Sequence, residues 1–431
     1  MQQAKFSPKN ALNKIADFSV ELLKNTMASQ ENIIISPVSL LAVLVMAMRG
    51  AKGNTLRELE EVIGTDAETL SGYFASFFAD DAEASQQSMP ERENVVKIGN
   101  RTGAFAPWWL SIINSIEAAK RKPLPKLGAG TEEPVKVANP LKFANSIWVK
   151  EDAKVDFESD FFDQCSGFDY AEIFKAPFNG ETCQRINKWV SEHTDNEIPE
   201  IIDSFNEDDI LYLINALLFD AKWDKRYDED DIIDHEFKNS LGDTVKAKFM
   251  AGNEEIFLRD TNAKGFIKGY QGGRYEFIAL LPNEGVKLSE YVSALTGERL
   301  LSILDDYEKH PVDTLMPKFE AEYKADFNPV LKEMGIKEAF NKYTADFKGI
   351  GTPTEPEHNI CIGDVKQISK IKVDENGTKA VAVTSISTNC MVSCLPPRPY
   401  KVYLDRPFLY IIFDTATRMP VFLGMLQKLE K

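Results

Sequence analysis

The sequence predicts an α+β protein folded as one large domain. Three observations carry that expectation. Helical periodicity dominates the first half of the 431 residues, and strand-like patterns dominate the second. The two never alternate in the regular βαβ order of a parallel sheet. A hydrophobic fraction of 43% is globular, no internal repeat occurs, and a chain this long buries a sizeable core.

Taken in order, residues 10–27 space Leu12, Ile15, Phe18, Leu22 and Leu23 along one helical face. Residues 33–35 read as a short strand and 37–48 as a buried helix whose first turn suits Pro37. The apolar run 33–48 contains Ser36, Pro37 and Ser39 and is short for a membrane span. Gly50, Gly53 and Asn54 punctuate it, and Thr55 is the expected N-cap of a helix over 56–63. A further amphipathic helix is expected over 65–78. Composition then shifts to Glu, Ser, Pro, Gly and Lys, so 80–140 reads as a surface insertion. Inside it Phe105, Trp109, Ile112, Ile113 and Ile116 share a face, which predicts a helix over 107–120. That helix either packs on its own domain or offers a docking face to a protein or a membrane.

The second half predicts a strand over 143–149 and a helix over 183–193 with Ile186, Trp189 and Val190 inward. A long buried strand is expected over 211–223, with others at 248–250, 275–281 and 312–319. A helix over 329–334 is stopped by Gly335, and a strand pair closes the chain at 408–413 and 421–426.

Charge and motifs exclude several function classes. The net charge of −17 repels phosphate backbones and argues against a nucleic-acid partner. His193, His235, His310 and His358 have no metal-ligand spacing, and no Gly-x-Ser-x-Gly elbow, P-loop or dinucleotide fingerprint occurs. Neither a catalytic constellation nor a metal or cofactor site is therefore expected. The acidic runs 207–209 and 228–231 read as solvated loops, without calcium-loop spacing. Cys165, Cys183, Cys361, Cys390 and Cys394 form no disulfide framework. The first eight residues have no apolar h-region, so no signal peptide is read. The expected location is the cytoplasm, or outside the cell if a signal is missing or export is unconventional. Asn100 and Asn376 begin glycosylation sequons, which matter only on a secretory route.

One stretch does not read as core. Residues 380–397 carry no charge and 373–395 no proline. Thr378, Ala380, Ala382 and Thr384 alternate with Lys379, Val381, Val383 and Ser385, which puts small residues on one face at a period of two. Pro396-Pro397-Arg398-Pro399 then ends any strand. The segment reads as a loop that is sometimes a strand.

A set of motifs in one order now lines up over nearly the whole chain. They are Asn32 to Ser39 followed by Gly50 to Thr55, Ala144 to Val149, and Ile186-Asn187-Lys188-Trp189-Val190 with Thr194, Ile198 and Pro199. Leu213 to Ala216 with Lys222-Trp223, Leu315 to Phe319, Arg406-Pro407-Phe408 and Phe422-Leu423-Gly424 complete the set. The chain resembles a serpin of the inhibitory type. The resemblance implies three β-sheets around a large central one, about eight or nine helices, and an exposed reactive loop over about 375–398. It implies a monomeric inhibitor that captures a serine protease as an acyl-enzyme while the cut loop enters the central sheet as an added strand. From Glu375 to Met391 the loop would span roughly 53 Å at about 3.3 Å per residue.

The family's hinge of Glu, any residue, Gly, Thr and small residues is matched by Glu375, Gly377, Thr378, Ala380, Ala382 and Thr384. Counting the family's usual 16 residues from Glu375 gives Met391-Val392 as the bait bond, with Cys390 or Leu395 as alternatives. Methionine suits a deep apolar pocket, hence elastase-like or chymotrypsin-like targets. The resemblance puts Ser36, Ser39, Asn215 and Gln367 under the sheet and Trp223 beside the insertion gap. Gln367 stands where a histidine is usual, and Arg226-Tyr227 where Pro-Phe is usual. The acidic helix 66–81 argues against the heparin site of some members. Cys390 and Cys394 are either two thiols on the loop or a redox-sensitive disulfide that pinches it. A non-inhibitory serpin, acting as a binding or storage protein, is the alternative reading.

Overall fold

A computed structural model describes residues 8–27, 31–78, 140–168, 171–205, 210–355, 359–378 and 397–430. The expected insertion and its amphipathic helix lie outside these residues, as does the loop from Lys379 to Pro396.

Between Pro8 and Phe78 the chain forms α1 (Pro8–Thr26), β1 (Ile33–Ile35), α2 (Pro37–Gly50), α3 (Gly53–Ile63) and α4 (Ala67–Phe78). Helix α2 is apolar almost all round and is buried almost all round, as such a pattern requires. Its cap is Ser36, whose side chain accepts from the Ser39 amide at 3.2 Å. The expected cap Thr55 does not cap α3. Helix α3 begins at Gly53, and Thr55 instead accepts from the Asp346 amide at 2.9 Å, tying the helix to a distant loop. Helix α4 is capped by Asp66, which accepts from Thr69 N at 2.7 Å.

Next come β2 (Leu141–Lys150), β3 (Val155–Phe157), α5 (Ser159–Phe168), β4 (Ala171–Ala176) and α6 (Gly180–His193). They are followed by β5 (Leu211–Phe219), β6 (Ala221–Lys222), β7 (Ile232–Lys238), β8 (Thr244–Arg259), β9 (Ala263–Gly269) and β10 (Tyr275–Pro282). Then come α7 (Leu288–Ala294), α8 (Gly297–Asp305), β11 (Glu308–Pro317), β12 (Phe319–Asp326), α9 (Asn328–Met334) and β13 (Gly351–Pro353). The chain ends with β14 (Lys366–Val373), β15 (Gly377–Thr378), β16 (Tyr400–Tyr403), β17 (Phe408–Asp414) and β18 (Met419–Leu426). The described residues thus hold nine α-helices. None is long and apolar enough to cross a membrane.

A nine-stranded sheet runs β1-β18-β17-β10-β9-β8-β11-β16, with β7 added beside β8. Strands β10, β17 and β18 are buried along their full lengths and form the centre of the core. At about 1.5–3 kcal/mol per fully buried large aliphatic or aromatic side chain, this block is a main source of stability. A two-stranded ribbon joins β3 to β13.

The remaining strands form the central sheet, which is split. One half runs β4-β2-β5 and the other β12-β14-β15-β6. They are one sheet because β6 continues β5 past Asp220, whose amide still reaches Pro140 O at 2.9 Å. Among the described residues, the two halves pair only where β15 lies between β14 and β6. Below that point no ladder joins β5 to β14 among the described residues. The exposed edge explains a departure from expectation: Leu211, Tyr212 and Leu213 are only half-buried, although 211–223 read as a buried strand throughout. The expected strand over 312–319 is likewise two, β11 and β12, broken at Lys318.

Candidate functional site

The split sheet has a closed head and an open seam, and the expected site residues fall at both. After β14 the chain turns at residues 374–376. Asp374 makes the turn by accepting from the Asn376 amide at 2.9 Å, while its own amide donates to Gly377 O at 3.0 Å. Gly377 and Thr378 then form β15, with Thr378 opposite Val373 on one side and Ala221 on the other. Two residues of an added strand are therefore already in the sheet.

Three consecutive carbonyls hold this turn in place. Trp223 donates its indole N–H to Asp374 O at 2.8 Å and its amide to Asn376 O at 2.9 Å. The Tyr227 amide donates to Glu375 O at 3.1 Å. Lys318 pairs with the Glu375 carboxylate at 2.6 Å. Burial works to raise the Glu375 carboxyl, but the Lys318 hydrogen bond and charge outweigh it and hold the group below its usual value. Buried Thr378 meets the Tyr270 hydroxyl at 2.6 Å, and Tyr270 stacks on Trp223 with ring centroids 4.5 Å apart. Burial pushes the Tyr270 phenol far up, so it stays a neutral hydrogen-bonding group. Only glycine fits at 377: a Cβ would stand 2.1 Å from Ala221 O and 2.7 Å from Lys222 Cα.

Six residues down β5 lies the second group. Gln367 spans Ser36 with both ends of its amide: Oε1 accepts from Ser36 N at 2.8 Å and Nε2 donates to Ser36 O at 2.9 Å. Ser369 donates to the same Oε1 at 3.1 Å. Ser36 Oγ donates to Val421 O at 2.8 Å, which fixes the start of α2 to β18. Ser39 donates to Asn215 Oδ1, and Asn215 Nδ2 donates to Asn145 Oδ1 at 2.7 Å. The network ties α2 to both lips of the seam, with a cavity of about 50 Å³ between Asn215 and Gln367. On the outer face α6 covers the seam. Its Asn187 accepts from Ile201 N and Ile202 N at 2.9 and 3.1 Å and donates to Ile202 O at 2.7 Å.

The structure thus brings Glu375, Gly377, Thr378 and Trp223 together at the head, and Ser36, Ser39, Asn215 and Gln367 together at the seam. Ala380, Ala382, Thr384, Cys390, Met391, Val392, Cys394 and Leu395 lie outside the described residues. Sequence reading missed Tyr270, Asn145, Ser369 and the buried pair Glu254–Lys268. Tyr227 was visible only as a departure. A signal for Lys268 was present: it is a lone charge in the apolar stripe of Phe266 and Tyr270.

A split central sheet with the short strand β15 seated at its head defines a class, and the chain belongs to it. This is a member of the serpin family: the profile described as Serpin (serine protease inhibitor) matches residues 13–429. Among its relatives, leukocyte elastase inhibitor A of Mus musculus is 26% identical over 430 residues, covering 94% of this chain and 96% of that protein. A serpin-like protein of Thermococcus kodakarensis is 25% identical over 419 residues, covering 96% of this chain and 85% of its own. Among solved structures, the thermophilic serpin tengpin in its native state superposes with a TM-score of 0.77. That match has 30% identity and covers 97% of this chain and 94% of tengpin.

Proposed function

We propose that this serpin inhibits serine proteases of the elastase or chymotrypsin type by trapping the acyl-enzyme as its cut loop enters the open seam. One observation carries the reading: Gly377 and Thr378 already hydrogen-bond in the ladder between β14 and β6, at the head of a seam with no ladder below among the described residues. Continuing that register gives the loop a path. Each residue beyond Thr378 would step back one residue on β14 and one on β6 and β5. Ala380 and Ala382 would face Phe219 and Leu217, where little room is needed. Thr384, six residues on, would stand between Gln367 and Asn215, six residues back on each side, and add a hydroxyl to that polar network. Insertion needs small, uncharged inward residues, and the loop supplies them. Met391-Val392 is the proposed bait bond, and the mouse relative's name, leukocyte elastase inhibitor, favours the same target class.

The test is incubation with elastase-type and chymotrypsin-type proteases. The expected result is a complex that survives boiling in detergent, with mass spectrometry placing the released C-terminal fragment at Val392. Clean cleavage without complex overturns the reading. The bulky Val381 and Val383 favour a second reading, a non-inhibitory serpin used for binding or storage. Cleavage would then leave the melting temperature nearly unchanged, whereas insertion raises it.

A further inference from the structure

Beneath the two residues that hold the hinge lies a buried ion pair. Lys268 Nζ and Glu254 Oε1 are 2.8 Å apart, and the two side chains are 4% and 7% exposed. Lys268 belongs to β9, between the fully buried Phe266 and Tyr270 on the same face. Glu254 belongs to β8, where the pairing with β11 shifts register between Ile256 and Glu254, and its side chain is buried. Both side chains are buried, and burying two charges there costs several kcal/mol per ion before their attraction offsets it. Stability alone does not account for the pair, because well-packed apolar residues of similar volume are often as stable or more so.

The geometry gives the pair a different task. The Lys268 ammonium stands 4.3 Å from the Tyr227 ring centroid and 5.5 Å from that of Trp223. Both distances are within reach of a cation–π contact, which is strongest when desolvated. Glu254 holds the ammonium from its other side. The backbone adds a second tie, since the Asp224 amide donates to Gly269 O at 3.0 Å, next to Lys268. Trp223 and Tyr227 are the residues whose N–H groups hold the carbonyls of Asp374, Glu375 and Asn376. One buried cation therefore contacts the rings of both residues that hold the hinge.

We infer that Lys268, braced by Glu254, is a positioning residue for loop entry: it locks Trp223 and Tyr227 so that the hinge stays docked and insertion starts from a fixed register. This role presupposes the trapping reaction proposed above, but its first readout needs no protease. A loosened head delays entry, and the acyl-enzyme then hydrolyses before the loop is home. The loss appears as inhibitor consumed per protease trapped.

The experiment compares the full chain with Lys268→Met and with the double variant Lys268→Met/Glu254→Leu, which removes both charges at similar volume. Hydrogen exchange reads hinge docking at the Trp223–Tyr227 amides, with β17 as the internal control, and urea midpoints read global stability. Lys268→Met is expected to speed exchange at 223–227 at least tenfold relative to β17. The double variant regains a midpoint near the parent's yet keeps the fast exchange, and inhibitor consumed per trapped protease rises at least twofold in both. A double variant matching the parent in exchange overturns the role, since the cation would then be mere filling. Exchange that rises equally in β17 overturns it too, as does faster exchange with unchanged consumption. If the parent traps no protease but the exchange pattern holds, hinge positioning stands and the trapping reading falls.

Discussion

The Cα of Gly377 lies so close to Ala221 that a Cβ on it would stand 2.1 Å from the Ala221 carbonyl oxygen. That contact forms where the hinge pairs with β6. Replacement by alanine cannot be absorbed by a rotamer change, because the obstacle is backbone. The hinge must leave the sheet, so the cost to global stability is limited to the worth of its docking, about 1–2 kcal/mol. On the trapping reading proposed above, the effect on function is larger. Gly377→Ala is expected to turn most encounters with a target protease into cleavage without complex, read as the ratio of the two bands on a denaturing gel. A parental ratio would show that hinge docking does not matter.

The Lys318–Glu375 pair makes the head sensitive to acid. The Glu375 pKa lies below its ordinary value of 4.5. A depressed carboxyl contributes stability that is fully present above the unfolded value and is lost as pH falls through the folded one. Docking should therefore hold from neutrality to about pH 5 and weaken below 4.5. The side chains are 28% and 37% exposed, so solvent and salt screen the pair, and its worth is under about 1 kcal/mol. Limited proteolysis at the hinge with an acid-tolerant protease should show the transition. Glu375→Gln should remove the pH dependence and leave the hinge equally open at every pH.

Gln367 offers a test at the seam. It satisfies both the amide and the carbonyl of Ser36, which is 1% exposed. Gln367→Leu leaves the Ser36 amide without a partner, while Ser36 O keeps the Leu40 amide at 3.2 Å. At about 1–3 kcal/mol per orphaned buried group, the expected loss is about 1–3 kcal/mol. It should appear as a lower urea midpoint with an unchanged denaturant slope.

What could be read from the sequence follows from how local each signal is. Period-two and period-3.6 patterns located α2, α6, β10, β17 and β18, because each buries a face against the core. The uncharged run over 380–397 marked the stretch as abnormal for a core strand, but Glu375, Gly377 and Thr378 were legible as a hinge only through the resemblance. Gln367 beside Ser36 was legible only through the resemblance, since 331 residues separate them. The Glu254–Lys268 pair was not legible as a pair: Lys268 stood out in its apolar stripe, but Glu254 looked like an ordinary surface charge, and only the folded sheet brings the two within 2.8 Å. Thr55 misled because a threonine before an apolar run is the usual cap signal, while its hydroxyl serves Asp346.

The register at the hinge makes a last prediction that needs no mutation. Thr378 stands opposite Val373, and the two strands run antiparallel. Cys390 is twelve residues on from Thr378, and Cys361 is twelve back from Val373. Carried past the start of β14 at Lys366, this register would set the two cysteines opposite each other. They share a parity too: buried Gln367, Ser369, Ile371 and Val373 are the odd, inward positions of β14, and the loop's small inward residues are even. Residues directly opposite in an antiparallel pair have Cα atoms about 4.5–5.5 Å apart, within the range a disulfide spans. After cleavage at Met391-Val392, glutathione disulfide should therefore oxidise the two thiols to a Cys361–Cys390 bond. Peptide mapping should find that bond in the cleaved chain and not in the intact one. Oxidised, cleaved protein in which Cys390 joins only Cys394 or glutathione would show that the loop does not follow this register.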